Sequence, residues 1–567
     1  MLDEIIRKHA LKNAFEYGKA KANGIVGRVI AEYPEAKKSM KFTMESIAKI
    51  VGEVNKLSKE RIDEELKNYK FEGKKEEGEK KFKIEGVEEG KVITRFLPEP
   101  NGYLHIGHAK AAFLSAELAR QYSGKCILRF DDTNPESEKL EFVDAIRRNL
   151  EWLGLKFASE NFTSDKMRLL YKFAQKMMIL GKAYVCDCSQ EIMNKNRYDK
   201  IACACRKRRG GENLHHWDKM IKGDVEKGAM IVRFLGDMES ENSVMRDPTL
   251  FRINKTEHYR QGTKYFVWPT YDFEVSISDT LDDVTHALRS KEYELRDELY
   301  YAILDSVKMR KPVVYDFSRL NIKGTALSKR FLKPLIEQNK VLGWDDPRLP
   351  TLDGLKRRGI LPAAIKEFVL RQGLSKVESE PAFEDLLALN RKMLDPISPH
   401  YFFVEEPVKI TIANMEKDKE IALSSHVEGR ERKFRVGSGI YLSKDDARNL
   451  KKNEIIRLKD LFNLKIIKKG KTQINAEYME GDATHEMKKL HWLPFDENQT
   501  IPAEIITVST LLNEKGDFNE DSLTIKKGIC EKNAADAKID EVIQFERFGF
   551  CRLDKKEKDK LTFVFSC

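Results

Sequence analysis

The stretch VITRFLPEPNGYLHIGHAKAAFLSAELARQYSGKCILRFDD, residues 92–132, carries the pattern on which the fold prediction depends. Residues 92–96 are rich in β-formers, and the PEPNG turn that follows can continue neither a strand nor a helix. Apolar residues at helical spacing predict a helix over residues 105–122, and residues 125–130 form a second apolar strand. Strand, helix and strand predict a βαβ unit of a Rossmann-like parallel sheet, which binds its ligands at the carboxyl ends of the strands.

The composition is that of a globular chain with several domains. Its 567 residues exceed the ~100–200 residues of one domain, so we expect three to five domains. Hydrophobic residues make up 41% and charged residues 34%, which excludes a wholly disordered chain. No stretch has the ~20 apolar residues of a membrane span, and residues 1–8 lack the apolar segment of a signal peptide. We therefore expect a soluble, cytoplasmic protein with no membrane partner.

Changes in composition divide the chain into seven expected segments. Residues 71–91 are almost all charged residues and Gly, which is typical of a linker. Beyond residue 399, many short strands separated by turns indicate β-barrels. The segments are an N-terminal helical domain (1–70), the charged linker (71–91), the first half of the Rossmann-like domain (92–165), an insertion with a cysteine cluster (166–270), the second half of the Rossmann-like domain (271–332), a helical connective domain (333–398) and all-β barrels (399–567).

Two histidines mark the start of the predicted helix. His105 and His108 lie in its first turn, where free backbone N–H groups and the helix dipole favour anions. Gly107 between them leaves room for a flat ring to approach the backbone. Such a site suits a nucleotide whose phosphates gain charge in a transition state. An isolated H-x-G-H is more often a helix start with two incidental histidines, so this interpretation needs a second element.

The segment TALSKR, residues 325–330, is the second element. Ser328 and Lys329 supply donors for oxyanions, and the preceding Gly324 would let the loop close over phosphates. Alone, this segment would be interpreted as a solvated basic loop. Two phosphate-binding elements in one sheet domain favour nucleotide chemistry.

Together, residues 105–108 and 326–330 resemble the HIGH and KMSKS motifs of class I aminoacyl-tRNA synthetases; the second motif departs from the family pattern at its first two positions and its last. The C-terminal half, expected to be all-β, is similar to that of glutaminyl enzymes and of archaeal and eukaryotic glutamyl enzymes, whereas bacterial glutamyl enzymes carry a helical anticodon domain. Longer strings that look like the glutamyl/glutaminyl subgroup are residues 95–110, 129–135, 268–273, 277–279, 285–289 and 317–321.

This resemblance implies a set of residues for the amino acid. Arg95 would bind a substrate carboxyl group, Asp132 the α-ammonium and Tyr271 the side-chain end. Arg289 is the discriminating position, because glutaminyl enzymes typically carry a small neutral residue there. A guanidinium pairs with a carboxylate through two hydrogen bonds, whereas an amide offers one acceptor oxygen. The expected enzyme is therefore of the archaeal/eukaryotic glutamyl type.

Several alternatives stay open beside this interpretation. Arg289 could instead form a surface salt bridge with Glu292 or Asp283. The chain could be a glutaminyl enzyme, a non-charging RNA-binding relative of the same fold, or a nucleotidyltransferase of small molecules.

The resemblance also implies the reaction. L-glutamate and ATP, with Mg²⁺ on the ATP phosphates, would give glutamyl-adenylate, and the 3′-terminal adenosine of tRNA(Glu) would then accept the glutamyl group. tRNA(Gln) is a further candidate acceptor, and a monomer is expected. His105, His108 and Lys329 are the expected catalytic residues, acting by positioning and charge stabilisation. The expected ATP-binding residues are Pro98, His105, Gly107, His108, Ser328 and Lys329.

Four of the eight cysteines fall in two Cys-x-Cys pairs, Cys186 with Cys188 and Cys203 with Cys205. Four thiolates can complete a tetrahedral zinc site, and paired cysteines favour metal over disulfides in a chain without a secretory signal. Free buried cysteines are the alternative. By resemblance, the surrounding insertion would hold the acceptor end of tRNA.

The β-rich C-terminal half offers candidates for anticodon binding. Lys and Arg number 102 against 92 Asp and Glu, a net charge of +10 that suits contact with a polyanion over part of the surface. Basic residues next to aromatic ones can bind phosphates and stack on unpaired bases. The candidates are Arg430, Arg432, Lys433, Arg435, Lys468, Lys469, Lys471, Phe434 and Tyr441.

Overall fold

The computed structural model contains two units, residues 1–81 and 82–567. The described residues are 2–17, 19–20, 22–66, 69, 81–415, 418–427, 430–470, 473–482, 487–513 and 515–567. Within these ranges, no helix combines the length and the apolar character that crossing a membrane requires.

The first unit is a group of packed helices. Apolar residues at helical spacing, among them Ile6, Ala10, Ile47 and Val54, meet in one core in which each is fully buried. The helices are α1 (Leu2–Tyr17), α2 (Ala22–Glu32), α3 (Met40–Val54) and α4 (Lys59–Leu66).

Only the end of the expected linker is described, because residues 71–80 lie outside the described ranges. The following residues pack as part of the second unit: Ile84 is buried in a small core together with Val92 and Leu118. The Glu85 carbonyl lies 3.0 Å from Nε2 of His286, with which it shares a hydrogen bond. The second unit therefore begins ahead of its first strand.

Three parallel strands open the second unit. Strand β1 pairs with β2, and β2 pairs with β3. The strands are buried along most of their length because helices cover the sheet, as apolar runs such as residues 126–128 require. The elements are β1 (Ile93–Phe96), α5 (Ile106–Gln121), β2 (Lys125–Phe130), α6 (Leu140–Trp152) and β3 (Glu160–Phe162).

An insertion with its own core follows β3. Its four strands are antiparallel in the order β4-β5-β6-β7, and Trp217 and Trp268 are fully buried in the core beside them. The elements are α7 (Met167–Ile179), β4 (Ala183–Cys186), α8 (Gln190–Tyr198), α9 (Gly210–Lys222), β5 (Ile231–Phe234), β6 (Thr249–Ile253) and β7 (Val267–Pro269).

The parallel sheet then resumes with α10 (Tyr271–Leu281), β8 (His286–Ser290), α11 (Asp297–Val307) and β9 (Val313–Phe317). Strands β8 and β9 are parallel, and the Thr285 N–H donates to the Ile93 carbonyl over 2.8 Å, which places β8 beside β1. The spatial order is therefore β3-β2-β1-β8-β9. This is the doubly wound arrangement, in which the chain changes direction between β1 and β8 and a ligand crevice opens outside the strand ends.

A helical segment supports the histidine-bearing helix α5. Ile365 and Phe368 of this segment share a core with Ala112 and Phe113 of α5. The Leu352 N–H also donates to the Leu104 carbonyl over 2.8 Å, just before α5 begins. The helices are α12 (Lys329–Glu337), α13 (Leu352–Arg358), α14 (Pro362–Leu370) and α15 (Phe383–Leu394).

The C-terminal part is built from strands. Two seven-stranded sheets have the orders β10-β23-β24-β25-β21-β22-β11 and β19-β16-β17-β18-β12-β15-β20, and β13 pairs with β14. The elements are β10 (His400–Tyr401), β11 (Phe403–Glu405), β12 (Val408–Ala413), β13 (Lys419–Ser424), β14 (Glu431–Val436), β15 (Gly439–Leu442), α16 (Lys444–Arg448), β16 (Ile455–Leu458), β17 (Asn463–Lys469), β18 (Gln473–Met479), β19 (Lys488–Leu490), β20 (Leu493–Pro494), β21 (Thr500–Val508), β22 (Leu523–Glu531), β23 (Val542–Phe545), β24 (Gly549–Lys556) and β25 (Leu561–Phe565). The predicted fold class, a Rossmann-like catalytic region with helical parts and an all-β C-terminal half, is confirmed.

Candidate active site

A cleft of about 920 Å³ opens at the point where the sheet changes direction. Arg95 at the end of β1 and Arg289 at the end of β8 line one part of it. His105 and His108 at the start of α5 line another part, and Ser328 lines it from the loop before α12. The cleft therefore joins the two motifs singled out in the sequence with the predicted amino-acid site.

The two histidines close the N-terminus of α5 reciprocally. The Gly107 N–H donates to Nδ1 of His105, and the His105 N–H donates to Nδ1 of His108, both over 3.1 Å. Their rings lie 3.8 Å apart. Two of the helix's free N–H groups are thereby satisfied by side chains.

This arrangement fixes the protonation of both rings. Burial lowers the pKa of His108 to about 4 and lowers that of His105 well below its usual value, with the neighbouring His108 adding to the effect on His105. Both imidazoles are therefore neutral at pH 7. Because each Nδ1 accepts a backbone hydrogen bond, the ring proton is on Nε2. Each histidine thus keeps one N–H donor, and neither Nε2 has a protein hydrogen-bond partner in the described part of the chain.

Gly107 is required by the histidine beside it. A Cβ at this position would lie 2.9 Å from Cε1 of His105, which is too close for any side chain. The space that the sequence interpretation left for a flat ring is therefore occupied, on one side, by the protein's own imidazole.

The lysine of the second motif lies over the turn that follows β1. Nζ of Lys329 is 5.4 Å from the centre of the Phe142 ring, and it would be 3.1 Å from a Cβ at Gly102. Burial lowers the pKa of Lys329, while Glu99 opposes that change. Leu327 and Ser328 line the cleft itself, so this loop brings a cation and a hydroxyl to the rim next to the histidines.

Arg95 is held in a buried ionic network. Its Nε donates to Asp279 over 3.0 Å and its Nη1 to the Leu288 carbonyl over 2.8 Å. Arg129 donates to the same Asp279 oxygen over 2.6 Å. Burial by itself would raise the pKa of Asp279, but the two arginines outweigh it and lower that pKa. Nη2 of Arg95 is left without a protein partner among the described residues, so it is available to a ligand in the cleft.

Arg289 faces the same cleft and is only 4% exposed. Its guanidinium carbon lies 5.7 Å from the ring centre of Tyr271 and 5.3 Å from that of Tyr293. Its ion-pair partner is Asp297, with Nη1 3.1 Å from Oδ1. The alternative that pairs Arg289 with Glu292 or Asp283 is not what the structure contains.

Glu292 instead pairs with Arg319, over 2.7 Å. Tyr271, Arg95 and Arg289 all line one cleft, as the resemblance implied. Burial raises the pKa of Tyr271, so its phenol stays protonated and can donate a hydrogen bond at neutral pH.

Asp132 does not line this cleft. Its two carboxylate oxygens accept hydrogen bonds from the backbone N–H and the hydroxyl of Ser164, over 2.8 and 2.7 Å. The preceding residue, Asp131, does not line the cleft either, and Thr133 donates a hydrogen bond to its Oδ1 over 3.1 Å. Burial and the nearby Glu99 raise the pKa of Asp131 to about 6. The sequence interpretation named Asp132 and not Asp131.

Comparison with known proteins agrees with this geometry. The family described as "tRNA synthetases class I (E and Q), catalytic domain" matches residues 91–396, and two anticodon-binding domains of the same family match residues 398–485 and 489–554. The chain belongs to the class I tRNA synthetases of the E and Q family.

Relatives extend over the whole chain. A protein of Nitrosopumilus maritimus named glutamate–tRNA ligase is 43% identical, over 98% of this chain and 98% of its own length. One of Pyrococcus furiosus with the same name is 39% identical, over 100% of this chain and 99% of its own length. Among solved structures, a glutamate tRNA ligase from Elizabethkingia meningosepticum in complex with its amino acid is 17% identical and covers 54% of this chain and 70% of its own, with a TM-score of 0.41.

The cysteine cluster of this class I synthetase lies in the insertion. All four Sγ atoms of Cys186, Cys188, Cys203 and Cys205 lie within 4.8 Å of one another, and all four cysteines are free thiols. Three of the sulfur pairs are 3.3, 3.8 and 3.9 Å apart. Four bonds of ~2.3 Å to one zinc ion in tetrahedral geometry would separate the sulfurs by about 3.8 Å, so the four thiols fit that ion.

In the anticodon-binding part of the synthetase, two of the expected contact residues point inward. Arg432 is 2% exposed and its Nη1 lies 2.8 Å from Glu531, and Phe434 is buried in the sheet core. The expectation that these two residues contact RNA is wrong, since alternation along β14 turns them toward the core. Lys433 and Arg435, which lie between and beyond them, are exposed. Lys471 lies outside the described residues.

Proposed function

We propose that this chain is a glutamate–tRNA ligase that attaches L-glutamate to tRNA(Glu) in two steps, an ATP-dependent formation of glutamyl-adenylate and a transfer of the glutamyl group to the tRNA. The observation that carries this proposal is the position of Arg289: buried, inside the cleft, and beside Tyr271 and Arg95. A buried guanidinium favours a ligand with a carboxylate over one with a neutral amide, because the amide would leave the charge uncompensated. The names of the relatives agree with glutamate rather than glutamine.

The first step joins glutamate to the α-phosphate of ATP. A carboxylate oxygen of glutamate attacks the α-phosphorus, the bond to the β-phosphate bridging oxygen breaks, and pyrophosphate leaves. The Nε2–H groups of His105 and His108 donate to the phosphate oxygens as charge develops, and Lys329 closes over the leaving phosphates. Mg²⁺ bound with ATP would neutralise further phosphate charge. Ser328 and Pro98 line the ATP side of the cleft, and Gly107 allows the histidine turn.

The second step transfers the glutamyl group to tRNA. A ribose hydroxyl of the 3′-terminal adenosine, the 2′-OH in class I enzymes, attacks the carbonyl carbon of glutamyl-adenylate, and AMP leaves. The protein does little covalent chemistry in either step, so its contribution is positioning and charge stabilisation.

The α-ammonium of glutamate needs an acid in the cleft region. Asp132 is the residue that the resemblance implies, but its oxygens are already bound to Ser164. We favour Asp131, whose carboxylate accepts one side-chain hydrogen bond, from Thr133 over 3.1 Å, and whose charge acts on Tyr293, a residue that lines the cleft. Replacing each acid by Asn distinguishes their roles. D131N should raise the KM for glutamate about tenfold or more. D132N should affect thermal stability instead.

We also propose that the four clustered cysteines hold a structural zinc ion in the insertion. Zinc would crosslink β4 and the two loops that carry the cysteines. The three sulfur separations of 3.3 to 3.9 Å support this proposal over four free thiols.

The test of the proposed function is aminoacylation with purified components. Wild-type protein, ATP and Mg²⁺ are combined with either glutamate or glutamine, and with either tRNA(Glu) or tRNA(Gln). Glutamate attached to tRNA(Glu) is the expected product. Preferential attachment of glutamine would overturn the proposal and favour a glutaminyl enzyme, and absence of any charging would favour a non-charging relative. The tRNA(Gln) reactions establish whether that tRNA is a second acceptor.

A further inference from the structure

Two acidic residues that take no part in the proposed reaction lie next to Arg289. Asp297, the first residue of α11, forms the ion pair with Nη1 of Arg289. Asp316 of β9 is the register partner of Arg289 on β8, so both side chains extend from neighbouring positions of the sheet. Asp316 is 1% exposed, and Lys376 lies 3.5 Å from its Oδ2.

Asp316 acts on Asp297 electrostatically. Burial and the neighbouring Asp316 raise the pKa of Asp297 to about 7, while Arg289 opposes that change. Oδ1 of each acid is buried without a hydrogen-bond partner among the described residues. Asp297 is therefore the acid that contacts Arg289 directly, and Asp316 lies on the neighbouring strand.

The tyrosines around Arg289 cannot fix its orientation. The rings of Tyr271, Tyr293 and Tyr300 lie 5.3 to 5.7 Å from its guanidinium carbon, and ring faces attract a cation without choosing which N–H points where. The ion pair with Asp297 places a carboxylate oxygen 3.1 Å from Nη1 and so draws that end of the guanidinium toward α11. Nε and Nη1 of Arg289 are both buried without a hydrogen-bond partner among the described residues, so the protein leaves these donors unused.

We propose that Asp297 is a positioning residue for amino-acid selection: it holds Arg289 so that the remaining N–H groups meet the side-chain carboxylate of glutamate. This inference rests on the proposed function, since it names the residue that makes Arg289 selective. Asp316 supports Asp297 from β9 and connects it to Lys376. Asp297 contacts neither the nucleotide motifs nor the reacting atoms, so it is not a catalytic residue.

The experiment compares four proteins in glutamate-dependent ATP–pyrophosphate exchange with tRNA(Glu) present. They are wild type, D297N, D297E and the control E298Q, which removes an acid from the same first turn of α11; Glu298 bonds Asn242 instead of Arg289. We expect D297N to raise the KM for glutamate about tenfold, with the KM for ATP and the kcat within about twofold. The preference for glutamate over glutamine should fall by a similar factor. D297E should recover part of the loss, and E298Q should resemble wild type.

The same substitution is also made in a protein that lacks Arg289, which shows whether Asp297 acts through this arginine. In R289Q protein, D297N should have no further effect on the KM for glutamate, because the residue through which it acts is gone. The inference would be overturned if D297N left the KM for glutamate unchanged or lowered it. It would also be overturned if D297N raised the KM for ATP by the same factor as the KM for glutamate. Thermal unfolding of each variant identifies any general loss of folding.

The outcomes separate this inference from the proposed function. Wild-type protein that charges glutamate while D297N keeps full selectivity overturns the role of Asp297 and leaves the function intact. Wild-type protein that prefers glutamine overturns both.

Discussion

The two ring nitrogens of His105 and of His108 have different roles. Nδ1 closes the helix by accepting a backbone N–H, and Nε2–H remains for phosphate. A lowered pKa keeps both rings neutral, so they donate hydrogen bonds without bringing a fixed charge that would bind the ground state equally well. In the proposed reaction, each side chain of this motif would act both as a structural cap and as a catalytic donor.

Two substitutions of His108 should separate these tasks. In H108N, Oδ1 can replace Nδ1 as the acceptor of the His105 N–H, but no donor remains where Nε2 was. In H108Q, the amide nitrogen can reach the Nε2 position while the cap is lost. Loss of one transition-state donor costs roughly 10²–10³ in kcat, so H108N should lose about that factor in adenylate formation with normal thermal stability. H108Q should keep more activity and melt at lower temperature; the reverse ranking would contradict this division.

At the residue scale, the sequence predicted which side chains line the cleft better than it predicted their partners. Arg95, Tyr271 and Arg289 line one cleft, as the family strings implied. Asp279 lies in one of the family strings, but nothing in that string marks it as the partner of Arg95, and Asp297, the partner of Arg289, lies outside all of the strings. The sequence alone does not separate Asp131 from Asp132, because both follow the end of β2 and they differ in their partners, Thr133 and Ser164.

Lys110 connects two elements of the site. It is 1% exposed on α5, and its Nζ donates to the carbonyl of Ser318 over 2.5 Å, just beyond β9. Burial lowers its pKa to about 8. The contact therefore ties the histidine-bearing helix to the start of the chain segment that leads to Lys329.

The burial of Lys110 should make the free energy of unfolding depend on pH. The pKa of Lys110 is lower in the folded state, about 8, than the ~10.4 of an exposed lysine, so the unfolded state binds more protons between these values. Stability from this residue therefore rises as pH increases from about 8 to about 10. Relative to K110M, wild-type protein should gain up to about 3 kcal/mol between pH 7 and 10, measured by denaturant unfolding. This account would be contradicted if the difference in unfolding free energy between wild type and K110M stayed constant with pH. It would also be contradicted if wild type showed the same gain relative to K172M, which changes an exposed lysine.

The zinc site is a prediction about one element of the fold, the insertion. Purified protein should contain about one zinc per chain by mass spectrometry, and C188A should lose it because a three-thiolate site binds more weakly. The same change should weaken tRNA binding about tenfold or more, since the insertion would lose order. C551A, in the core beside β23, should keep its zinc. Wild-type protein purified without zinc, or C188A with a full zinc content, would contradict this prediction.

Elements were predictable wherever a strong apolar pattern had clear ends. Strand β2 coincides with the apolar run at residues 125–130 that was singled out in the sequence. Helix α12 begins at Lys329, inside the expected motif loop, and Pro334 is its sixth residue. The helix therefore contains a proline in its interior, where one backbone hydrogen bond is missing. In β14, by contrast, the sequence interpretation considered only the charges of the residues. It did not apply the two-residue alternation of a strand, which buries Arg432.

At the scale of the whole molecule, the second unit contains every residue of the cleft. Its sheet, insertion, helical segment and β-rich part lie within residues 82–567, and the family matches begin at residue 91. A chain that starts at residue 82 should therefore activate glutamate with a kcat/KM within about threefold of the full chain, measured by pyrophosphate exchange with tRNA present. A folded truncated chain that loses activity about a hundredfold would show that the first unit takes part in the reaction.

The central claim is that Arg289 recognises the side-chain carboxylate of glutamate. A crystal structure with a non-hydrolysable glutamyl-adenylate analogue tests it most directly. The account predicts the carboxylate within about 3 Å of an Arg289 N–H, beside Tyr271, with the adenylate against His105 and His108. A side-chain carboxylate that faces solvent or binds another residue, with Arg289 paired to Asp297 alone, would contradict it.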